Sequence, residues 1–285
     1  MIYISSSCIK TKRIRESVET LSLNGFKFIE LSGGTDYYDG IEEDLIDLKQ
    51  KYKLNYSCHN YFPPPKEHFV LNIASQNDEI FENSLRHLRN AIKFSKKIDA
   101  SSFSFHAGFM IDLEPSEIGG KIQYKRPVAK LRALKRFAEA FAVLKKEAGD
   151  LRLYIENNVI SQANWKIFKK SNPFLLTSYS DYLELTQWMD FKLILDVAHL
   201  KVSCHTLALN FANELNLLIK NTDCLHVSDN DGLSDQNRYL ERDGIIMMEL
   251  KKYNLRNKTF TLEVYDGLKK INNSYELLRK VKEHQ

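Results

Sequence analysis

Only four cysteines occur in 285 residues, Cys8, Cys58, Cys204 and Cys224, and no two have C-x-x-C spacing. A disulfide framework is not expected, and the thiols read as reduced, as in a cytoplasmic protein. The chain also lacks any apolar run near the roughly 18 residues that span a bilayer, and MIYISSS enters a strand-like run with no basic, then long apolar, leader. No G-x-G-x-x-G follows the first strand-like run, and no G-x-x-x-x-G-K-[ST] occurs anywhere. Nucleotide-binding folds therefore lose their best support. Charge of one sign is scarce too. The net charge is +4, and basic residues are scattered over helical stretches such as 128–146, where a solvated face explains them. A nucleic-acid partner is not indicated, and neither is a membrane.

What is present is ordinary globular material, 43% apolar and 27% charged, ample for a sizeable core. Short runs rich in Val, Ile, Phe and Tyr appear near 2–5, 26–31, 54–58, 102–106, 151–156, 192–196, 223–227 and 259–264. Helical periods lie between them. Phe81, Leu85, Leu88 and Ile92 recur at helical spacing within 78–98, as do Leu131, Leu134, Phe137, Phe141 and Leu144 within 128–147. Further helices are expected at 10–23, 41–51, 179–189, 205–219, 244–252 and 273–283, with Asn24-Gly25 suited to a left-handed cap on the first. Eight apolar strands alternating with eight helices predict an α/β fold, a closed (β/α)8 TIM barrel. With no linker, low-complexity tract or longer repeat, residues 1–285 read as a single domain. The two long connections, 107–127 and 227–243, both follow strands and so belong on the face where barrel enzymes keep their sites.

The strand ends carry the chemistry. YSCHNY, SFHAGF, YIENN, LILDVAHL, CLHVSDND and FTLEVYDG place His59, His106, Glu156, Asp196 with His199, His226 and Glu263 at or just past the strand tips. A lone histidine after an apolar run is more often structural than a ligand. Six such tips converging on one rim are another matter, because carboxylates buried together resist ionisation without a cation. Mixed imidazole and carboxylate ligation suits Zn, Mn, Fe or Co better than Ca or Mg. Asp196 and His199 reach one face if a helical turn begins between them. In the loop after His226, Asp229 and Asp231 read as solvated acids. Tyr61, Phe62, Phe105, Phe109 and Tyr265 are rim aromatics with faces suited to the C–H side of a sugar.

In this order, with IELSGG, HNYFPPP and LNIAS, the motifs resemble the xylose-isomerase-like TIM barrel superfamily along essentially the whole chain. That superfamily includes sugar phosphate isomerases and epimerases and the endonuclease IV group. The resemblance implies one divalent metal ion (Mn, Zn, Co or Fe) held by Glu156, Asp196, His226 and Glu263. Glu156 and Glu263 would then also be the proton-transfer pair of an isomerase or epimerase acting on a sugar, sugar phosphate or related polyol through an enediolate. His199, His106 and His59 would meet the substrate, with Glu30 a weaker pocket residue and Arg238 a partner for a phosphate or carboxylate. A dehydratase or lyase on the same scaffold is an alternative. So is a three-metal nuclease, which would recruit His59, His106, His199 and Asp235 as additional ligands. Against the nuclease, Asp235-Gln236-Asn237 has Asn where the nucleases carry a histidine, and a neutral amide is a poor transition-metal ligand. Dimers and tetramers are common among such barrels, so a homo-oligomer fits the resemblance.

Overall fold

The computed structural model describes residues 1–283. Its eight strands are β1 (Ile2–Ser5), β2 (Phe28–Leu31), β3 (Asn55–His59), β4 (Ser102–His106), β5 (Arg152–Glu156), β6 (Lys192–Asp196), β7 (Thr222–Val227) and β8 (Thr259–Leu262). All are parallel, they pair in chain order, and β8 closes on β1. This is the TIM barrel the sequence predicts. Every residue of β1 is buried, and in β3, β5 and β6 only the first is exposed. Burial on both faces explains why these strands read as continuous apolar runs rather than alternating ones.

The helices are α1 (Ile14–Leu23), α2 (Ile41–Tyr52), α3 (Asp78–Lys97), α4 (Lys130–Ala148), α5 (Gln162–Ile167), α6 (Tyr179–Thr186), α7 (Val197–Leu207), α8 (Phe211–Leu218), α9 (Ile245–Leu250) and α10 (Leu268–Glu283). α3 shows why such a segment is helical. The Asn77 side chain accepts from the amides of Glu79 and Ile80, acids occupy its first turn, Lys96 and Lys97 its last, and Leu88 and Ile92 face the core. Gly25 closes α1 in the left-handed region, as its sequence suggested. Two expectations need correction. Leu131 shares the spacing of the α4 core face yet is 65% exposed, because it lies in the helix's first turn. The single helix expected at 205–219 is two helices, since Ala208 adopts φ +56° and Asn210 caps a fresh start by accepting from Asn213 N.

The long connection after β4 is a built part of the fold. Ile111, Leu113, Ile122, Ile160, Phe168 and Phe174 form a second apolar cluster separate from the main core. Buried Asn72 fixes the segment: its Nδ2 donates to the carbonyls of Phe109 and Ile111, and its Oδ1 accepts from Phe109 N and Ala74 N. Asn158, two residues past β5, does the same, donating to the carbonyls of Ala107 and Leu175. Gly108 sits where the loop leaves the barrel, and a Cβ there would meet Ala74 Cβ at 2.6 Å and Phe137 Cδ2 at 3.1 Å. Gly108→Val should therefore overpack the junction, destabilising the protein by about 1–3 kcal/mol. The check is thermal denaturation, where the midpoint should fall by several degrees.

Candidate active site

Strand register sets the site. In the paired ladders His106 lies opposite Glu156, Asp196 opposite His226, and His59 opposite Ser104. Residues from separate strands thus arrive level at one end of the barrel. Asp196 ends β6 and caps α7, its carboxylate accepting from His199 N at 2.7 Å. That cap supplies the helical turn that carries His199 to the same face. Glu263 lies one residue beyond β8, its amide donating to Val227 O.

Glu156 is fully buried at the centre. His59 Nε2 and His226 Nδ1 each lie 3.3 Å from its Oε2; His199 Nδ1 lies 3.5 Å and His106 Nδ1 3.9 Å from its Oε1. His226 Nδ1 is also 3.7 Å from Glu263. The other nitrogen of His226 faces Glu30 at 3.3 Å. Glu30 therefore does not line the pocket as expected. It lies inside the barrel beneath the site, where Thr261 Oγ1 also donates to it and Ser57 stands close. Glu30 holds a proton on His226 Nε2, so that Nδ1, the nitrogen facing Glu156 and Glu263, is the one that would meet a cation.

The electrostatics expose a shortage of positive charge. Burial opposes ionisation of Glu156, but His106, His226 and His59 overcome it and hold its pKa well below the usual range. Asp196 is not so served: burial, with Glu156 and Asp235 nearby, lifts it to about 6 against the pull of His199. Burial, reinforced by Glu156 and Glu30, pushes Glu263 up to about 8. Burial alone would discharge His226 and His199, yet the surrounding carboxylates hold both well above their ordinary value. His106 goes the other way, brought down to about 4 chiefly by burial.

A divalent cation fits this donor set. Both carboxylate oxygens of Glu156, Asp196 Oδ2 and His226 Nδ1 are buried without a hydrogen bond. Buried polar atoms normally have partners, so four at one point mark a place where something else supplies them. Among the described residues, ligand atoms close enough to share an ion occur in the groups Asp196, His226, Glu263; Glu156, Asp196, His199; His59, His106, Glu156; and Glu30, His59, His226. Mixed carboxylate and imidazole donors of this kind suit Mn, Zn, Co or Fe.

The remaining candidates separate by position. His199 has both nitrogens engaged, Nδ1 with Asn157 O at 3.0 Å and Nε2 with Asp235 at 3.2 Å. His59 Nδ1 is paired with Ser104 Oγ at 2.9 Å. Asn237 turns its amide oxygen to accept from Ser228 Oγ, at φ +48°. Asp229 pairs with Lys201 at 2.6 Å, and Asp231 accepts from Leu233 N and Ser234 N, so both brace the loop. Arg238 is exposed and 3.9 Å from Asp231, away from the cavity lining, because its backbone is bridged to Asp229. Phe62 is wholly buried against Phe94 and belongs to the core.

Over the rim lies a cavity of about 790 Å³, with His106, His199, Asp235, Tyr61, Phe105 and Phe109 in its wall. Sequence reasoning missed Asn157. Its side chain donates to Asp196 O and accepts from Asp196 N, locking the tips of β5 and β6 together. The signal was the second polar residue of YIENN, an amide immediately after an apolar strand.

Known proteins share this fold. The chain superposes on a D-tagatose 3-epimerase-like protein at 18% identity over 99% of this chain and 97% of that one, with a TM-score of 0.73. It superposes on 3-keto-D-glucoside 4-epimerase from E. coli at 13% identity over 99% and 98%, TM-score 0.63. Endonuclease IV from Thermus thermophilus matches at 15% identity over 100% and 99%, TM-score 0.62. Among curated proteins no sequence matches. No described helix is long and apolar enough to cross a membrane. With residues 18–281 matching its profile, the chain belongs to the xylose isomerase-like TIM barrel family.

Proposed function

We propose that the protein is a divalent-metal-dependent isomerase or epimerase acting on a sugar or related polyol. One observation carries this reading. Two buried glutamates, Glu156 on β5 and Glu263 after β8, approach the same nitrogen of His226, Nδ1, from either side of β7, at 3.3 and 3.7 Å. The ion would be held by Glu156, Asp196, His226 and Glu263. When bound, it polarises the substrate carbonyl and acidifies the neighbouring C–H.

The chain's own residues do the rest. Glu156 takes the proton from carbon on one side of the substrate and Glu263 returns one from the other. Return on the opposite face of the same carbon gives an epimer; return at the adjacent carbon gives an isomer. His199, its two ring nitrogens held by Asn157 O and Asp235, places a charged ring in the cavity wall, where it favours negative charge developing on a substrate oxygen. His106 lines the cavity wall and is available to a hydroxyl. The likeness to two sugar epimerases supports the reading.

A nuclease reading draws on one specific feature, the further ligand group at His59, His106 and Glu156, and on the likeness to endonuclease IV. Three features weigh against it. Asn237 hydrogen bonds to Ser228, His199 is occupied by Asp235, and the net charge is only +4. Phosphate-backbone binding normally leaves a strong basic footprint.

Glu156→Gln and Glu263→Gln should each reduce solvent-deuterium incorporation into substrate by at least ~10²-fold, as loss of a general base does. Proton NMR in D₂O reads this directly, and undiminished exchange in both variants would refute the assignment. Glu30→Gln should weaken metal binding by about 10–100-fold while the fold is retained, the effect expected when a ligand histidine loses its anchoring carboxylate. Metal titration against a competing chelator measures it. A duplex carrying an abasic site should stay intact when incubated with protein loaded with Zn or Mn, as followed by gel electrophoresis.

A further inference from the structure

The cavity over the rim is shaped for more than a free sugar. At about 790 Å³ it lies in the range that holds drug-sized ligands, roughly 300–1,000 Å³. Its lining is mixed in chemistry. It includes His106 and His199, whose Nδ1 atoms lie 3.9 and 3.5 Å from Glu156, together with Asp235. It also includes an apolar set, Val70, Leu71, Phe109, Leu113, Ile122 and Phe174. Several of these belong to the second apolar cluster, which the connections after β4 and β5 build beside the barrel mouth. The wall is held in place, since Asn72 and Asn158 pin the loop backbone and Phe109 meets Phe174 edge to face at 5.5 Å.

Charge says what the apolar part of the lining does not take. Lys121 is the one lysine or arginine in the described lining, and it is exposed on a loop. Lys125 is engaged by Glu117, and Arg238 lies outside the wall. A phosphate group is normally gripped by a fixed arginine fork, a cluster of backbone amides or a buried ammonium. A wall of aliphatic and aromatic side chains instead rewards an apolar ring, with Phe109 and Phe174 placed to pack against its face or edge.

We propose that the substrate is a neutral keto sugar bearing an apolar, ring-sized substituent, in chemical class an aryl glycoside that carries a ring carbonyl, with its sugar at the rim and its apolar ring under the 107–127 connection. The sugar end of this assignment rests on the proton-transfer reading above; the apolar end rests on the cavity alone.

The test compares phenyl and methyl glycosides of glucose, galactose and xylose by calorimetric titration into the metal-loaded protein. At least one phenyl glycoside should bind tenfold or more tightly than its methyl partner, with a negative heat-capacity change from apolar burial. Phe109→Ala should shrink that ratio toward one. Equal affinity within every pair, no binding by any phenyl glycoside, or an undiminished ratio in Phe109→Ala overturns the proposal. Solvent-deuterium exchange, measured separately on the oxidised (keto) forms of the same glycosides, keeps the two readings apart. A phenyl preference without exchange sustains the cavity assignment and removes the chemistry, whereas exchange without preference does the reverse.

Discussion

Four carboxylates and four imidazoles crowd the closed end of this barrel, and most of the local architecture answers that crowding. Closure of β8 on β1 leaves no edge along which side chains could spread, so the tips of β3 to β8 converge. Glu30, Glu156, Asp196 and Glu263 are all buried or nearly so. The imidazoles suffice to keep Glu156 ionised, yet Asp196 and Glu263 remain raised to about 6 and about 8. Such an arrangement would be costly as a purely structural core, because unpaired buried charge opposes folding. A cation resolves the excess of acid, and the atoms left without hydrogen bonds lie where it would be held.

Around this centre a layer of uncharged polar groups, together with Glu30, fixes orientation. Glu30 sits below His226, Ser104 behind His59 and Asn157 between Asp196 and His199. Glu30 and Ser104 each engage one ring nitrogen and so leave the other facing Glu156, while Asn157 ties the backbone of Asp196 to the tip of β5. The geometry is precise because it is borne on strands and a helix N-terminus rather than on free loops. Above it, the connections after β4 and β5 share an apolar cluster and turn the barrel mouth into a walled chamber. The reacting centre and the chamber therefore have separate structural origins. One is set by strand register, the other by a loop anchored through two buried asparagines.

Much of this was legible in the chain. The eight strands were readable because burial on both faces makes each a continuous apolar run, and the tips were readable because a charged residue abruptly ends each run. Less legible were features set by three-dimensional neighbours. Glu30 lies one residue before the end of β2, and its lower level in the barrel, opposite Ser57 rather than His59, directs it at His226 and away from the cavity. The division of 197–218 into α7 and α8 hinges on Asp196 serving as cap as well as site residue, and on Ala208 turning left-handed. Arg238 looked suited to an anion, yet the bridge to Asp229 holds it outside. The apolar chamber could not be foreseen at all, since Ile111, Leu113, Ile122, Ile160, Phe168 and Phe174 come from separate connections and meet only once the barrel exists.

The central claim is that the crowded rim is a one-ion site flanked by two proton-transfer glutamates. Anomalous diffraction from a crystal grown with Mn²⁺, collected above the manganese absorption edge, tests it most directly. The account predicts one strong peak per chain, within coordination distance of Glu156, Asp196, His226 and Glu263. A peak held instead by His59 and His106, or three peaks spread over the rim, would contradict it.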